Sequence, residues 1–329
     1  MKRNVIVTNG YDLWKNMFSD VVDSGGTIQG YPYNKYDSSK KDRFLFHVCN
    51  NRLCKKYLQE MWFRHLLKKW GVNLGGGATI LFLNPSLPYV EVELIKFLDR
   101  IDNIDIGLLF IDSIKCLKES SVKQITPLIS AFGDNVFTYD PVDAEEQRWN
   151  LTYQYYSNKS PAYKEEIKYD VFLILYNKGR EKKAVQLYDY LKQRHIKCLF
   201  FLNGIRPDFA DKNPREGIIY NNVISYEEII EYVKRSRVIV ELCQANQGAN
   251  TLRAFEAVVY DRKIITDNRN IIRFPYYNDD MMKYFYSIED LDQIPDDFFT
   301  TDNTHKEYQY EDCFSPIHLI DHISNKQSE

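Results

Sequence analysis

Residues 237–266 read RVIVELCQANQGANTLRAFEAVVYDRKIIT, and the way this stretch folds decides the architecture. Positions 237–242 are rich in β-branched and apolar residues, which predicts a buried strand. A small polar loop follows. Asn250 or Thr251 can cap a helix, and Leu252, Phe255 and Val259 recur at helical spacing across 250–260. Residues 263–266, KIIT, are a second apolar strand. Two strands joined by a helix lie parallel in one sheet.

Working outward, the same alternation fills the second half. Strands are predicted at 170–176 and 196–202, with helices at 180–194 and 226–234. The first half repeats it, with strands at 4–8, 44–48, 78–83, 106–111 and 135–139. Its helices fall at 52–70, 90–101 and 122–132, the last kinked by Pro127. In the helix at 52–70, Leu53, Tyr57, Met61 and His65 stand at four-residue steps beside Leu58, Trp62 and Leu66 and predict the core face. Lys55, Lys56, Lys68 and Lys69 lie elsewhere on it. Continuous apolar strands buried on both faces fit parallel sheets covered by helices.

Between 150 and 169 the pattern becomes polar and tyrosine-rich and loses its period. The expected organisation is therefore an N-terminal Rossmann-like domain over 1–150 and a linker at 151–169. A second Rossmann-like domain covers 170–275, and a tail over 276–329 packs on or across the domains, closing in a short helix at 318–323. The fold class is α/β, two Rossmann-like domains facing a cleft.

Bulk properties limit the function. Of 329 residues 44% are hydrophobic, so a sizeable core is available. The formal net charge of −3 gives no general pull on polyanions, and no nucleic-acid partner is expected. Apolar runs fall far short of the ~20 residues that span a bilayer. The short apolar run at the N-terminus reads as a strand and not as a signal peptide, which predicts a cytoplasmic protein. The six cysteines are scattered, without zinc-ligand spacing.

A doubly wound domain binds ligands beyond the carboxyl ends of its strands, so the loops after 176, 202, 242 and 266 carry the chemistry. After 176 come Lys178, Gly179 and Arg180. Glycine admits a close backbone approach, and the two cations suit a diphosphate at a helix start. The plainer reading makes them solvated charges. Three spaced glycines of the dinucleotide fingerprint are absent, which lowers nicotinamide enzymes in rank. After 242, Gln247, Gly248 and Asn250 offer donors and backbone access, and Thr251 offers a cap. Arg253 and Glu256 share a helix face, one for a phosphate and the other for ribose hydroxyls. The plainer reading there is a surface ion pair above an ordinary core helix.

The stretch 237–278, with Gln247, Thr251, Arg253, Glu256, Ala257, Lys263, Ile264, Ile265, Thr266, Asn268, Tyr277 and Asn278, resembles bacterial lipopolysaccharide and capsular polysaccharide biosynthesis proteins regarded as GT-B glycosyltransferases. Asp112-Ser113-Ile114, residues 136–140 with Asp143-Ala144, and residues 169–172 extend the likeness in order along the chain. The family's pattern places Gly two residues after the Gln and Leu before the Thr. Here Gly248 follows Gln247 directly and Asn250 precedes Thr251.

The resemblance implies GT-B architecture, a nucleotide-sugar donor on the C-terminal domain and a saccharide or lipid-linked saccharide acceptor on the N-terminal one. It implies no obligatory metal and no cofactor beyond the donor itself. No Asp-x-Asp pair ends a strand; Asp279-Asp280 and Asp296-Asp297 read as solvated acidic patches.

A transferase that inverts its donor needs a general base on the acceptor side. Asp12, behind the glycine-containing turn after the first strand, is the first candidate. Asp112, after the strand at 106–111, is the second, and His47 ranks below both. Asp140 and Asp143 are expected to order the hinge. A nucleotide-sugar epimerase or polyol-phosphate transferase on the same frame stays open, as does a catalytically weak nucleotide-binding or scaffold protein of a polysaccharide-assembly complex. Peripheral contact with a membrane through the four lysines of 52–70 is expected if the acceptor is lipid-linked.

Overall fold

The opening stretch folds as strand Ser236–Glu241, helix Leu252–Val259 and strand Lys263–Thr266, with its two strands parallel. This is seen in a computed structural model that describes residues 2–10, 12–31, 39–49, 51, 53, 55–157, 165–244, 250–302, 308 and 314–325. The chain divides into two units, Met1–Ser157 with Glu311–Glu329, and Asn158–Tyr310. Each is built on six parallel strands.

The first sheet holds β1 (Arg3–Thr8), β2 (Thr27–Gly30), β3 (Ala78–Leu83), β4 (Ile104–Phe110), β5 (Val136–Thr138) and β6 (Asn150–Leu151), in the order β2-β1-β3-β4-β5-β6. The helices of this part are α1 (Leu13–Met17), α2 (Ser19–Asp23), α3 (Lys40–Cys49), α4 (Lys55–Lys69), α5 (Val92–Asp99), α6 (Glu119–Ser130) and α7 (Pro141–Gln147). β3 and β4 are buried along their whole length, which is why they read as unbroken apolar runs.

The second sheet holds β7 (Tyr169–Tyr176), β8 (Cys198–Asn203), β9 (Ile218–Tyr220), β10 (Ser236–Glu241), β11 (Lys263–Thr266) and β12 (Met282–Tyr284). Its order is β12-β11-β10-β7-β8-β9. α8 (Glu181–Gln193), α9 (Pro207–Lys212), α10 (Tyr226–Lys234), α11 (Leu252–Val259) and α12 (Asp296–Thr300) accompany it. Asp296 and Asp297 thus open a helix and do not sit in a loop. The tail finally supplies α13 (Pro316–Asn325) to the first unit. Gly107 on β4 makes room for it, since a Cβ there would stand 2.6 Å from Ile323 Cδ1.

In both sheets the chain starts in the interior, moves to one side and then returns to the other. The reversal falls between β1 and β3 in the first sheet and between β7 and β10 in the second. Adjacent loops leave in opposite directions there, so each sheet has a crevice at the carboxyl ends of those strands.

Three expectations need correction. Residues 44–48 are helix and not strand: they lie in α3, whose start is tied by Ser39 and Asp42. Asp42 also accepts from His65 Nε2 at 2.8 Å and Lys69 Nζ at 3.1 Å, and Phe46 meets Trp62 edge-on at 5.4 Å. A five-residue apolar run carries no period to separate the two forms, and this pairing with α4 selects helix. His47 therefore sits on a helix and not at a strand end.

The core face of α4 is the expected one only in part: Trp62 and Leu66 are buried as expected, and the row at four-residue steps is not. Trp62, Phe63, Leu66 and Leu67 are buried, whereas Leu53, just ahead of the helix, and Tyr57 and Met61 are 85%, 76% and 46% exposed. Finally, Asp140 and Asp143 lie within the first unit and order no hinge. Asp140 caps α7, and the fully buried Asp143 accepts from Ile114 N at 2.7 Å and Ser113 Oγ at 3.0 Å, binding the loop after β4 to α7.

The His65 hydrogen bond, followed by those from Ser39 and Lys69, holds the Asp42 carboxyl well below its ordinary range. A lowered folded-state value gives stability that is complete above the unfolded value near ~4 and is lost as pH falls through the folded one. Asp42→Asn is expected to cost about 1–3 kcal/mol in urea unfolding at neutral pH, and the difference from wild type should shrink on acidification.

Candidate functional site

A cavity of about 210 Å³ opens where the second sheet reverses. It is lined by the last turns of β7 and β10, by Arg180, by Gln244 and by Thr251, Leu252 and Arg253 at the start of α11. Its floor is set by Glu241, the last residue of β10, which is buried.

The Glu241 carboxylate accepts from Thr251 N at 3.1 Å and from the Thr251 and Thr266 hydroxyls. One side chain thereby joins the end of β10 to the cap of α11 and the end of β11. Burial pushes Glu241 up from the usual carboxylate range, while the hydroxyl and amide donors pull it back. The Thr251 hydroxyl in turn accepts from Arg253 N at 3.2 Å, so the helix begins where Glu241 holds it. Cys243 N donates to Asp267 at 2.6 Å, and Asp267 pairs with Lys183 at 2.9 Å. Burial, then the nearby Glu241 and Asp267, push the Cys243 thiol far up, so it stays protonated and is no nucleophile.

Arg180 crosses the reversal point. Its guanidinium donates to the carbonyl of Leu242 behind β10 and, at 2.6 Å, to that of Tyr176 at the end of β7. Its Nε is buried and makes no hydrogen bond, and among the described residues no carboxylate pairs with it. Burial lowers its pKa. A half-buried cation held by neutral carbonyls with one N–H unused is chemically prepared for an anion.

The structure gathers Arg180, Thr251 and Arg253 of the expected donor-binding set around this cavity. Lys178 and Gly179 do not line it. They form the turn before α8, with Gly179 at φ 86°, and Asn177 Oδ1 accepts from the N–H groups of Gly179 and Arg180. Asn250 adjoins the cap, its Oδ1 buried without a partner among the described residues. Gln247 and Gly248 lie outside the described residues.

Glu256 is 0% exposed. It accepts from Tyr226 OH at 2.7 Å and from Arg253, so the pair is buried and not a surface one. Burial raises the Glu256 pKa, and Arg253 opposes the rise.

In the first unit, Asp12 stands before α1, exposed and paired with Lys15 at 2.9 Å. Asp112 is exposed in the turn after β4. β1 and β4 are separated by β3, so these two candidates leave different strands. Sequence reading missed Glu91, which precedes α5 behind β3 and accepts from Tyr31 OH at 2.5 Å. Burial raises its pKa, and the Tyr31 hydrogen bond opposes the rise. Only the tertiary pairing with Tyr31, sixty positions away, marks it. Among the described residues no group of three or more His, Cys, Asp and Glu could hold a metal ion. Nor is any described helix long and apolar enough to cross a membrane.

An α-glucosyltransferase in complex with UDP-glucose and DNA containing an abasic site superimposes with a TM-score of 0.57 at 12% identity, over 99% of this chain and 93% of that one. The fold is that of the GT-B glycosyltransferases. AviGT4, a glycosyltransferase involved in avilamycin A biosynthesis, gives 0.53 at 7% identity over 100% and 96% of the two chains. A putative UDP-N-acetylglucosamine 2-epimerase from Listeria monocytogenes gives 0.51 at 8% identity over 99% and 97%. No protein-family model and no curated protein matches the sequence.

One expectation falls with this comparison. Near-neutral net charge argued for no nucleic-acid partner, yet a chain of the same fold is solved with DNA. Net charge averages over the whole surface, and polyanion binding depends on local patches.

Glu241→Ala is expected to strand two hydroxyls and an amide in the interior and to cost about 3 kcal/mol in chemical denaturation. Thr266→Val, which removes one donor, should cost about 1 kcal/mol.

Proposed function

We propose that the protein transfers a sugar from a nucleotide-sugar donor to a hydroxyl acceptor, with the donor diphosphate held at the reversal point of the second sheet. The observation that carries this reading is Arg180, the half-buried cation with an unused N–H and no carboxylate partner among the described residues. It lines the same cavity as the start of α11, whose first N–H groups and dipole favour negative charge.

In this reading Arg180 and Arg253 neutralise the diphosphate, Thr251 and Asn250 position the loop, and Gln247 and Gly248 complete it over the donor. Lys178 and Gly179 border the entrance. Glu256 takes the ribose hydroxyls once Tyr226 yields its hydrogen bond. The acceptor oxygen attacks the anomeric carbon, the carbon–oxygen bond to phosphate breaks, and the nucleoside diphosphate leaves. The acceptor proton passes to a carboxylate base: Asp12 or Asp112 from the sequence, or Glu91, which Tyr31 holds at the start of α5. Charge neutralisation by arginines and helix N–H groups needs no metal and no cofactor besides the donor.

For the acceptor we favour a saccharide or lipid-linked saccharide of cell-surface polysaccharide, in the cytoplasm or at the inner face of the membrane, on the resemblance carried by residues 237–278. A second reading, a nucleic-acid acceptor, is supported by the similarity to the glucosyltransferase solved with UDP-glucose and DNA.

Thermal unfolding with UDP, GDP and CMP and their sugars is expected to show stabilisation by one nucleotide class, and Arg180→Ala should weaken it roughly tenfold or more. Release of that nucleotide only when a saccharide acceptor is present supports transfer. Release with hydroxymethylated DNA alone would replace the saccharide reading. Acceptor-independent epimer formation would replace transfer altogether, and an intact fold stabilised by no nucleotide would leave a scaffold.

A further inference from the structure

The tyrosine-rich stretch at 150–156, NLTYQYY, belongs to the first unit, where β6 forms the edge of the sheet beside β5. Alternation along β5 and the residue after it puts Phe137 and Tyr139 on one face. That face is the one α13 covers, since Phe137 meets His322 edge-on at 5.8 Å. The helix is seated over the inner strands. Ile323 lies against Gly107 of β4, and Ser324 Oγ shares a hydrogen bond of 2.6 Å with Thr79 Oγ1 of β3. Beside β5 and β6 a hollow of about 700 Å³ is left.

One wall of the hollow is aromatic. Tyr139, Tyr153 and Tyr155 line it. Tyr153 is 47% exposed, with its ring 4.7 Å from that of Phe314. Tyr155 is buried, and its hydroxyl shares a hydrogen bond of 2.5 Å with Thr152 Oγ1. The facing wall is α13, whose His318 and His322 are exposed and stand one turn apart on the same side. Among the described residues that line the hollow there is no Lys, Arg, Asp or Glu. In a chain with 27% charged residues, that composition sets the hollow apart from ordinary surface.

We propose that this hollow binds a neutral oligosaccharide. A sugar ring is apolar on its C–H faces and carries hydroxyls around its rim. Aromatic rings cover the faces, while imidazole and hydroxyl groups donate to and accept from the rim. The volume lies within the range of built small-molecule sites and exceeds what a single ring needs. A phosphorylated ligand would find no lysine or arginine among these residues, and an alkyl chain would cover two imidazoles without giving them a partner. The hollow is also separate from the crevice between β1 and β3. Three strand spacings, roughly 14 Å, divide β3 from β6. The inference stands on this hollow alone and does not depend on the donor reading.

The test is isothermal titration of the full chain, without nucleotide, with maltotetraose, cellotetraose and chitotetraose, and with tetragalacturonate and glucose 6-phosphate as charged counterparts. At least one neutral tetrasaccharide is expected to bind at millimolar concentration or below, more tightly than either charged compound. Tyr153→Ala and His318→Ala should each weaken that binding roughly fivefold or more at an unchanged thermal midpoint. Tyr153→Phe, which keeps the ring against Phe314, should retain it. No binding of any neutral tetrasaccharide at about 10 mM, tighter binding of a charged compound, or binding that neither alanine variant weakens overturns the inference.

Discussion

The second unit depends on one buried carboxylate. Glu241 ends β10, the strand beside the reversal, and accepts from Thr251 and Thr266, so strand, helix start and neighbouring strand meet at one group. A charge so deeply buried is tolerable only when its lone pairs are filled. The result is that α11 begins at a fixed height above the sheet, with Thr251, Leu252 and Arg253 lining the cavity. Arg180 repeats the logic with opposite sign by bridging the carbonyl ends of β7 and β10. Glu241 below and Arg180 and Arg253 beside it frame a small cavity.

The sequence made the architecture legible where strands are buried on both faces. β3, β4, β7, β8, β10 and β11 are apolar runs between helical patterns, and they were found. β2, with the sequence TIQG, has no apolar period, and β6, β9 and β12 are too short to show one. Pairing with a neighbour defines them. The α3 error has the same origin, because FLFHV fits either form until Asp42 meets His65 and Lys69. In α4 two interleaved apolar rows compete, and Trp62 and Leu66 take the core because they are nearest the sheet and α3.

The candidate site divides along the same line. Arg180, Thr251 and Arg253 were legible because their position after a strand gives them a direction. Lys178 and Gly179 shared that position but belong to a turn closed by Asn177. Glu241, inside the strand expected over 237–242, and Glu91 carry no signal in the sequence, since their partners Thr266 and Tyr31 are far away in the chain. Glu256 was legible as chemistry but not as burial: its link to Tyr226 connects α10 with α11 and needs the fold to be seen.

The central claim is that the reversal point between β7 and β10 holds a nucleoside diphosphate. A crystal structure of the full chain with UDP tests it most directly. The diphosphate is expected between the Arg180 guanidinium and the first turn of α11, with Arg180 Nε or a neighbouring guanidinium nitrogen donating to a phosphate oxygen. UDP bound elsewhere, with Arg180 still on the carbonyls of Tyr176 and Leu242, would contradict it.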